Sequence, residues 1–148
     1  MKFLILNGPN LNLLGHREPK IYGKESYSAL EEFLREKCAA LGITCDIRQS
    51  NHEGDLVDWI QEAMDNFDGI ILNPAAYTHT SIAIADALRA VQVPCVEVHL
   101  SDIDAREPYR HISYCSDACI TTCKGKGFES YAEAISYLYQ YLCEQGKE

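Results

Sequence analysis

The feature that most constrains the fold of this chain is a regular alternation of apolar runs with amphipathic segments. Runs typical of β-strands lie at 2–7, 43–49, 68–73, 94–100 and 118–123. Segments with apolar residues at helical spacing lie at 26–41, 53–66, 81–91 and 129–143. Strands that alternate with helices pair in parallel through right-handed crossovers, and the helices cover both faces of the sheet. The pattern therefore predicts an α/β fold.

The predicted strands differ in how their apolar residues are arranged. The second strand alternates, with Ile43, Cys45 and Ile47 on one face and polar residues on the other, which indicates an edge position. The first, third and fourth strands are apolar throughout, which indicates central positions. This fits a flavodoxin-like, five-stranded parallel sheet of order 2-1-3-4-5. No internal repeat, low-complexity segment or linker is visible, so we expect residues 1–148 to form one domain.

The ends of the predicted helices carry specific signals. Ser28 and Glu31 have the spacing of a capping box at the start of the first helix, and Gly42 is typical of its end. In the last helix, one stripe is apolar and we expect it to be buried: Tyr131, Ile135, Leu138 and Leu142.

Composition and charge exclude several classes of protein. No apolar run approaches the ~20 residues that a membrane span needs. The net charge of −9 argues against non-specific nucleic-acid binding, so an anionic substrate would need local positive charge. Several of the seven cysteines lie inside predicted strands and helices, which indicates reduced thiols. The N-terminus runs directly into a strand, without the apolar region of a signal peptide, so we expect a cytoplasmic location.

Polar side chains collect in the segments that follow the first, third and fourth strands, at 7–23, 73–81 and 99–111. In such a sheet the ligand crevice lies outside the C-terminal strand ends, at the switch point between the first and third strands. The histidines, arginines and asparagines of these segments are His16, His79, His99, His111, Arg17, Arg106, Arg110, Asn7, Asn10, Asn12 and Asn73. The turns at the opposite end of the sheet, such as "LGI" and "VQVP", are short and carry none of these residue types. This asymmetry predicts a binding site at the C-terminal edge.

Several common chemistries lack their sequence motifs. There is no GxGxxG, no GxxxxGK[ST] and no GxSxG, so nothing indicates a dinucleotide site, a nucleoside triphosphate site or a nucleophile elbow. The spacing of Cys115, Cys119 and Cys123 is not a usual zinc pattern, which favours a core or surface role. The remaining expectation is acid–base chemistry on a polar organic molecule.

The residues alone leave the roles of two candidates open. Tyr22 either packs on the first helix or acts as a base whose pKa is lowered by the Arg17 guanidinium five residues earlier. His99 is either a strand-end histidine bonded to a carbonyl or an acid. Glu97 shares its strand face, and a carboxylate in an apolar strand is costly unless paired, so Glu97 is a candidate to orient His99.

Four long motifs in order resemble the type II 3-dehydroquinate dehydratases. They are "NGPNLNLLGHREPKIYG" (7–23), "QSNHEGDLVDWI" (49–60), "NPAAYTHTSIAIADAL" (73–88) and "VEVHLSDIDAREPYRHISY" (96–114). The resemblance implies a flavodoxin-like subunit in a homo-oligomer, a dodecamer built as a tetramer of trimers. It also implies conversion of 3-dehydroquinate to 3-dehydroshikimate and water, by anti elimination through an enolate, without cofactor or metal.

The same resemblance implies the catalytic roles. Tyr22 would be the base, and Arg17 would keep it ionised. Asn10 would help to hold a water on the developing enolate. His99 would protonate the leaving hydroxyl, with Glu97 as its orienting partner.

It further implies the residues that hold the substrate. Asn73, His79 and Arg110 would bind it, and the backbone of Leu100 and Ser101 would receive its carboxylate. Asp86 would reach in from a neighbouring subunit. Many relatives have an arginine at the position of Ala85, so the resemblance leaves the salt bridges between subunits in doubt.

Two other functions remain compatible with the sequence. One is a different cofactor-free lyase or isomerase of polyhydroxy acids on the same scaffold. The other is a non-catalytic ligand-binding or assembly module, whose mark would be the loss of Tyr22, Arg17 or His99. All three residues are present.

Overall fold

A five-stranded parallel sheet forms the centre of the computed structural model, which describes residues 1–16 and 25–146. Its strands are β1 (Lys2–Asn7), β2 (Thr44–Gln49), β3 (Gly69–Asn73), β4 (Cys95–His99) and β5 (Thr121–Lys124). The helices are α1 (Tyr27–Ala40), α2 (Glu53–Asn66), α3 (Ile82–Val91) and α4 (Phe128–Glu144). The strand order is β2-β1-β3-β4-β5, and every pairing is parallel. The predicted fold and the edge position of the second strand are thereby confirmed.

The two faces of the sheet bury separate apolar clusters, because successive side chains of a strand point to opposite faces. In β1, Phe3 and Ile5 pack in one cluster with α1 and α4, whereas Leu4 and Leu6 pack in the other with α2 and α3. The stripe predicted for the last helix is buried as expected. Among the helices of the described residues, none combines the length and the apolar character required to cross a membrane.

The fifth strand lies further along the chain than the sequence predicts. Residues 118–123 were expected to form it, but β5 spans Thr121–Lys124. The preceding residues Ser116–Ala118 instead form a helical turn, which the Cys119 N–H closes on the Ser116 carbonyl at 3.1 Å. The Ile120 N–H then donates to the Cys95 carbonyl at 2.8 Å and starts the pairing with β4.

The start of α1 corrects the predicted capping box. The helix begins two residues earlier than the capping box predicts, and the Ser26 side chain accepts a hydrogen bond from the Ala29 N–H at 3.1 Å. Ser28 therefore lies inside the first turn, where it is exposed, and does not cap the helix. The other prediction for this helix is confirmed, since Gly42 follows its end with a φ of 71°.

A close approach of two loops shapes the C-terminal edge of the sheet. The Gly8 N–H after β1 donates to the Asn73 carbonyl of β3 at 2.8 Å. A Cβ atom at position 8 would lie 2.5 Å from the Pro74 carbonyl oxygen, so only glycine fits. The loops that follow β1 and β3 thus start side by side, and the crevice opens between them and the loop after β4.

Replacing Ser26 with Ala should lower the free energy of unfolding by about 1 kcal/mol, because an N-terminal N–H of α1 loses its acceptor. Ser28→Ala is the matched control and should leave stability unchanged or slightly higher, since Ala is the better helix former. Urea unfolding of both variants measures the difference. A larger loss from Ser28→Ala than from Ser26→Ala would contradict the observed cap.

Candidate active site

A cavity lies at the C-terminal ends of β1, β3 and β4, where the sequence predicts a site. Its walls come from the loops that follow these three strands. The residues that line it are Pro9, Asn10, Leu11, Leu13, Leu14, Asn73, Ala75, Ala76, His79, His99, Leu100, Ser101, Ile103, Arg106 and Arg110. The lining combines apolar side chains, leucines among them, with amide, imidazole and guanidinium groups.

Most of the predicted site residues meet at this cavity. Those that line it are Asn10, Asn73, His79, His99, Leu100, Ser101 and Arg110. Glu97 lies directly behind His99 and is fully buried. Tyr22 and Arg17 lie outside the described residues. Asp86 does not line the cavity; its side chain is 71% exposed on α3 and lies 3.6 Å from the Arg89 guanidinium.

Glu97 and His99 form a buried pair on β4. Both side chains point to the same face, because the two residues are two positions apart on a strand, with one residue between them. The His99 Nε2–H donates to Glu97 Oε2, and His99 is only 4% exposed. The ring nitrogen Nδ1 of His99 is then the one left to meet a ligand in the cavity.

Three hydroxyl groups surround the same carboxylate. Ser116 Oγ donates to Glu97 Oε1 at 2.9 Å, and Ser113 Oγ donates to both Glu97 oxygens, at 3.0 and 2.9 Å. Thr78 Oγ1 donates to Oε2 at 3.3 Å. Burial raises the pKa of the Glu97 carboxyl, but the hydrogen bonds from His99, Ser113 and Ser116 outweigh burial and hold the pKa below its ordinary value. Glu97 is therefore ionised at neutral pH.

The surroundings of His79 favour its neutral form, whereas those of Glu97 favour the charged form. Its Nδ1–H donates to the Ile112 carbonyl at 2.7 Å. Burial lowers the pKa of His79, and the neighbouring His99 and Arg110 lower it further, against the effect of the carbonyl. A neutral ring that donates from Nδ1 offers the lone pair of Nε2 as an acceptor. His79 is thus suited to accept a hydrogen bond from a ligand hydroxyl.

The cavity carries positive charge in a protein that is negative overall. Two of the described lining residues, Arg106 and Arg110, are arginines, and none of the described lining residues is acidic. Arg110 Nε donates to Glu107 Oε2 at 3.1 Å, and Arg106 Nε lies 3.8 Å from the same oxygen, so Glu107 orients both guanidinium groups. This arrangement favours an anionic ligand.

A second buried network joins the ends of β1 and β3 to α4. The Tyr131 hydroxyl donates to Asn7 Oδ1 at 2.7 Å and accepts from Asn73 Nδ2 at 2.8 Å. Asn73 Oδ1 accepts from the Ala75 N–H at 3.0 Å, where Ala75 has a φ of 51°. Burial raises the pKa of Tyr131, so the hydroxyl stays protonated and can make both contacts. The network holds the Asn73 amide and the turn that follows it at the cavity wall.

The loop that bears Asn10 is fixed by the last residue of β2 and by the loop that follows β2. The Asn10 N–H donates to Asn51 Oδ1 at 2.9 Å, and Gln49 Nε2 donates to the Gly8 carbonyl at 3.1 Å. The Tyr77 hydroxyl donates to the Asn51 carbonyl at 2.7 Å, which connects the loop after β2 to the loop after β3. Asn10 has a φ of 71°, a conformation that Asn tolerates better than most residues.

Sequence reasoning did not name the residues that support the site. Ser113, Ser116 and Thr78 were missed as partners of Glu97, and Tyr131 was predicted only as a core residue. The available signal was the buried carboxylate itself, which requires donors from elsewhere in the chain. Among the described residues, no group of His, Cys, Asp or Glu is arranged to hold a metal ion.

Comparison with known proteins shows which family this chain belongs to. A family model described as "Dehydroquinase class II" matches residues 1–139. A 3-dehydroquinate dehydratase of Streptomyces coelicolor is 52% identical, covering 91% of this chain and 88% of the relative. A catabolic 3-dehydroquinase of Aspergillus oryzae is 50% identical with the same coverage. The crystal structure of a type II dehydroquinase from Butyrivibrio crossotus superposes with a TM-score of 0.92 at 48% identity, covering 94% of this chain and 97% of that one.

Tyr131→Phe should lower the free energy of unfolding by about 1–3 kcal/mol, since it leaves Asn7 Oδ1 and Asn73 Nδ2 buried without this partner. Tyr137→Phe makes the same change at an exposed position of α4 and should have little effect. Thermal or urea unfolding compares the two variants. Equal stability of Tyr131→Phe and Tyr137→Phe would show that the network contributes nothing.

Proposed function

The chain belongs to the class II dehydroquinases, and from this premise we propose that it is a 3-dehydroquinate dehydratase. The hydro-lyase reaction is the elimination of water from 3-dehydroquinate to give 3-dehydroshikimate, a step used in aromatic amino-acid biosynthesis and in quinate catabolism. The observation that carries the proposal is the buried Glu97–His99 pair at the wall of a cavity lined by Asn10, Asn73, His79 and Arg110.

The substrate matches the charge and polarity of the cavity. 3-Dehydroquinate is a carboxylate that also carries hydroxyl groups and a ketone. Arg106 and Arg110 supply positive charge at the cavity, and the backbone of Leu100 and Ser101 at its wall would receive the carboxylate. Neutral His79 would accept from a ring hydroxyl, and Asn73 would contribute its amide. These contacts would orient the ring before any bond breaks.

His99 would be the acid that releases the hydroxyl at C1 as water. Its Nε2–H is held by ionised Glu97, and a buried carboxylate beside an imidazole stabilises the doubly protonated ring. A proton on Nδ1 would then be available to the leaving oxygen. Glu97 fixes the orientation of the ring and its charge, without itself touching the substrate.

Tyr22 would be the base that removes the proton from C2, next to the ketone. Arg17 would favour the phenolate form of Tyr22 by its charge. Both residues follow Leu11–Leu13 in the amino-acid sequence, and Leu11 and Leu13 line the cavity. The electrons of the C–H bond would form an enolate, and Asn10 would help to hold a water that donates to the enolate oxygen. A base and an acid on opposite sides of the ring would give anti elimination.

We further propose a homo-oligomer, a dodecamer of four trimers, in which Asp86 completes the site of the next subunit. The exposed position of Asp86 outside its own cavity supports a role in trans. Ile82 and Tyr109, which are 58% and 66% exposed, supply apolar surface for such contacts. The free state of all seven cysteines supports a reducing location, the cytoplasm.

Adding 3-dehydroquinate to the protein should produce the ultraviolet absorbance of the conjugated enone of 3-dehydroshikimate. Tyr22→Phe should reduce turnover by roughly a hundredfold or more while substrate still binds, since the ionisable oxygen is lost. Tyr137→Phe, at an exposed position, should turn over like the parent. No product from the parent protein would overturn the function, and an active Tyr22→Phe would mean that another group is the base.

Asp86→Ala and Tyr22→Phe should each be poorly active alone and regain part of the activity when they are unfolded and reassembled together. Some cavities would then combine an intact Tyr22 with an intact Asp86 from the neighbouring chain. The measurement is turnover of the mixed assembly against the average of the two separate variants. A mixed assembly no more active than that average would refute a site shared between subunits.

A further inference from the structure

Two cysteines that the proposed reaction does not use lie in direct contact behind the catalytic strand. The Cys119 thiol donates to Cys95 Sγ, with the two sulfur atoms 3.6 Å apart. Cys95 is the first residue of β4, and Cys119 closes the turn that precedes β5. The Ile120 N–H holds the Cys95 carbonyl at 2.8 Å, so the backbones that carry the two thiols are already fixed next to each other.

The two thiols differ in access. Cys95 is 1% exposed, whereas Cys119 is half-buried. Burial, together with the contact from Cys119, raises the pKa of Cys95 well above its ordinary value. A small oxidant therefore meets the Cys119 sulfur first, and Cys95 is the thiol positioned to react next.

The other cysteines of this region are poorer partners. Cys115 is fully buried, and burial raises its pKa to about 12. Cys123 packs in the cluster on the opposite face of the sheet, with α1 and α4, whereas Cys95 and Cys119 pack with α2 and α3. The sheet thus separates Cys123 from the pair.

We propose that Cys95 and Cys119 form an oxidisable dithiol, a modification site that hydroperoxides convert to a disulfide. Cys119 attacks one oxygen of hydrogen peroxide as the thiolate, and the O–O bond breaks to give the sulfenic acid. The hydroxide that leaves takes up the proton that Cys119 has lost and becomes the first water. The Cys95 sulfur then attacks the Cys119 sulfur, and the S–O bond breaks. The sulfenic oxygen leaves as water with the proton from Cys95. Two thiols are oxidised and one peroxide is reduced to two waters.

The disulfide would act on the active site through Ser116. A disulfide bond is about 2 Å long, so the Cys119 sulfur must move toward Cys95, which is anchored in the sheet. Ser116 lies in the same short turn, whose closing hydrogen bond joins the Cys119 N–H to the Ser116 carbonyl. Ser116 Oγ donates to Glu97 at 2.9 Å, and the movement disturbs this contact. The expected result is lower turnover, and this second effect rests on the proposed function.

Peptide mapping tests the site without reference to activity. The protein is treated with hydrogen peroxide, alkylated and digested with trypsin without reductant. Cys95 lies on peptide 90–106 and Cys119 on peptide 111–124, which also carries Cys115 and Cys123. We expect the two peptides to be linked, and fragmentation of the linked pair to assign the bond to Cys119. Cys123→Ser, the matched control on the same peptide, should keep the link, and Cys119→Ser should lose it.

Turnover before and after peroxide tests the consequence. The parent should lose activity on the order of tenfold, as the loss of one hydrogen bond to a charged group would cause, and dithiothreitol should restore it. Cys119→Ser should be unaffected by the same treatment. Absence of the linked peptides, or their persistence in Cys119→Ser, would overturn the dithiol. A parent protein that carries the disulfide but keeps full activity would overturn the coupling of the disulfide to Glu97. The peptide map does not depend on the proposed reaction, so it tests the dithiol even if the proposed function is wrong.

Discussion

The charge of Glu97 is fully buried in the middle of β4, and the surrounding structure has to compensate for it. An ionised carboxylate without partners is among the most costly groups that a protein can bury. Here the donors come from β4 itself, from the loop after β3 and from the residues before β5, through His99, Thr78, Ser113 and Ser116. The same contacts that hold the charge also fix the His99 ring at the cavity wall. Stability of this region and orientation of the proposed acid therefore depend on one group.

The parallel sheet explains why these parts meet. Every strand ends at the same edge, so the loops after β1, β3 and β4 converge there. The contact of Gly8 with Asn73, and the Tyr131 hydroxyl between Asn7 and Asn73, set the spacing of two of these loops. The strand ends thus carry His99, the proposed acid, and Asn73, proposed to bind the substrate, and the loops after β3 and β4 carry the other groups proposed for substrate binding. The proposed base belongs to the long segment between β1 and α1.

Periodicity and strand character were enough to predict the sheet order and the edge at which the site lies, because both follow from local burial patterns. The pairing of Glu97 with His99 was also foreseeable, since both residues share one face of an apolar strand. The other hydrogen bonds of the site could not be predicted, because they join parts of the chain that are distant in sequence. Tyr131 and Asn7, for example, are 124 residues apart. The predicted starts of α1 and β5 were wrong because neighbouring residues in the sequence offer alternative positions for each start. Ser26 and Ser28 are both suitable caps, and the apolar run at 118–123 includes residues that close a turn.

The most direct test of this account is the turnover number of Glu97→Gln, which keeps the shape of the side chain and removes its charge. A neutral amide no longer stabilises a doubly protonated His99 ring, so kcat should fall by roughly a hundredfold or more while the folded protein still binds substrate. Glu133→Gln, the same change at a surface pair with Lys126, should match the parent. A folded Glu97→Gln protein with a kcat within about twofold of the parent, a free-energy difference of roughly 0.4 kcal/mol, would contradict the central role of the buried carboxylate.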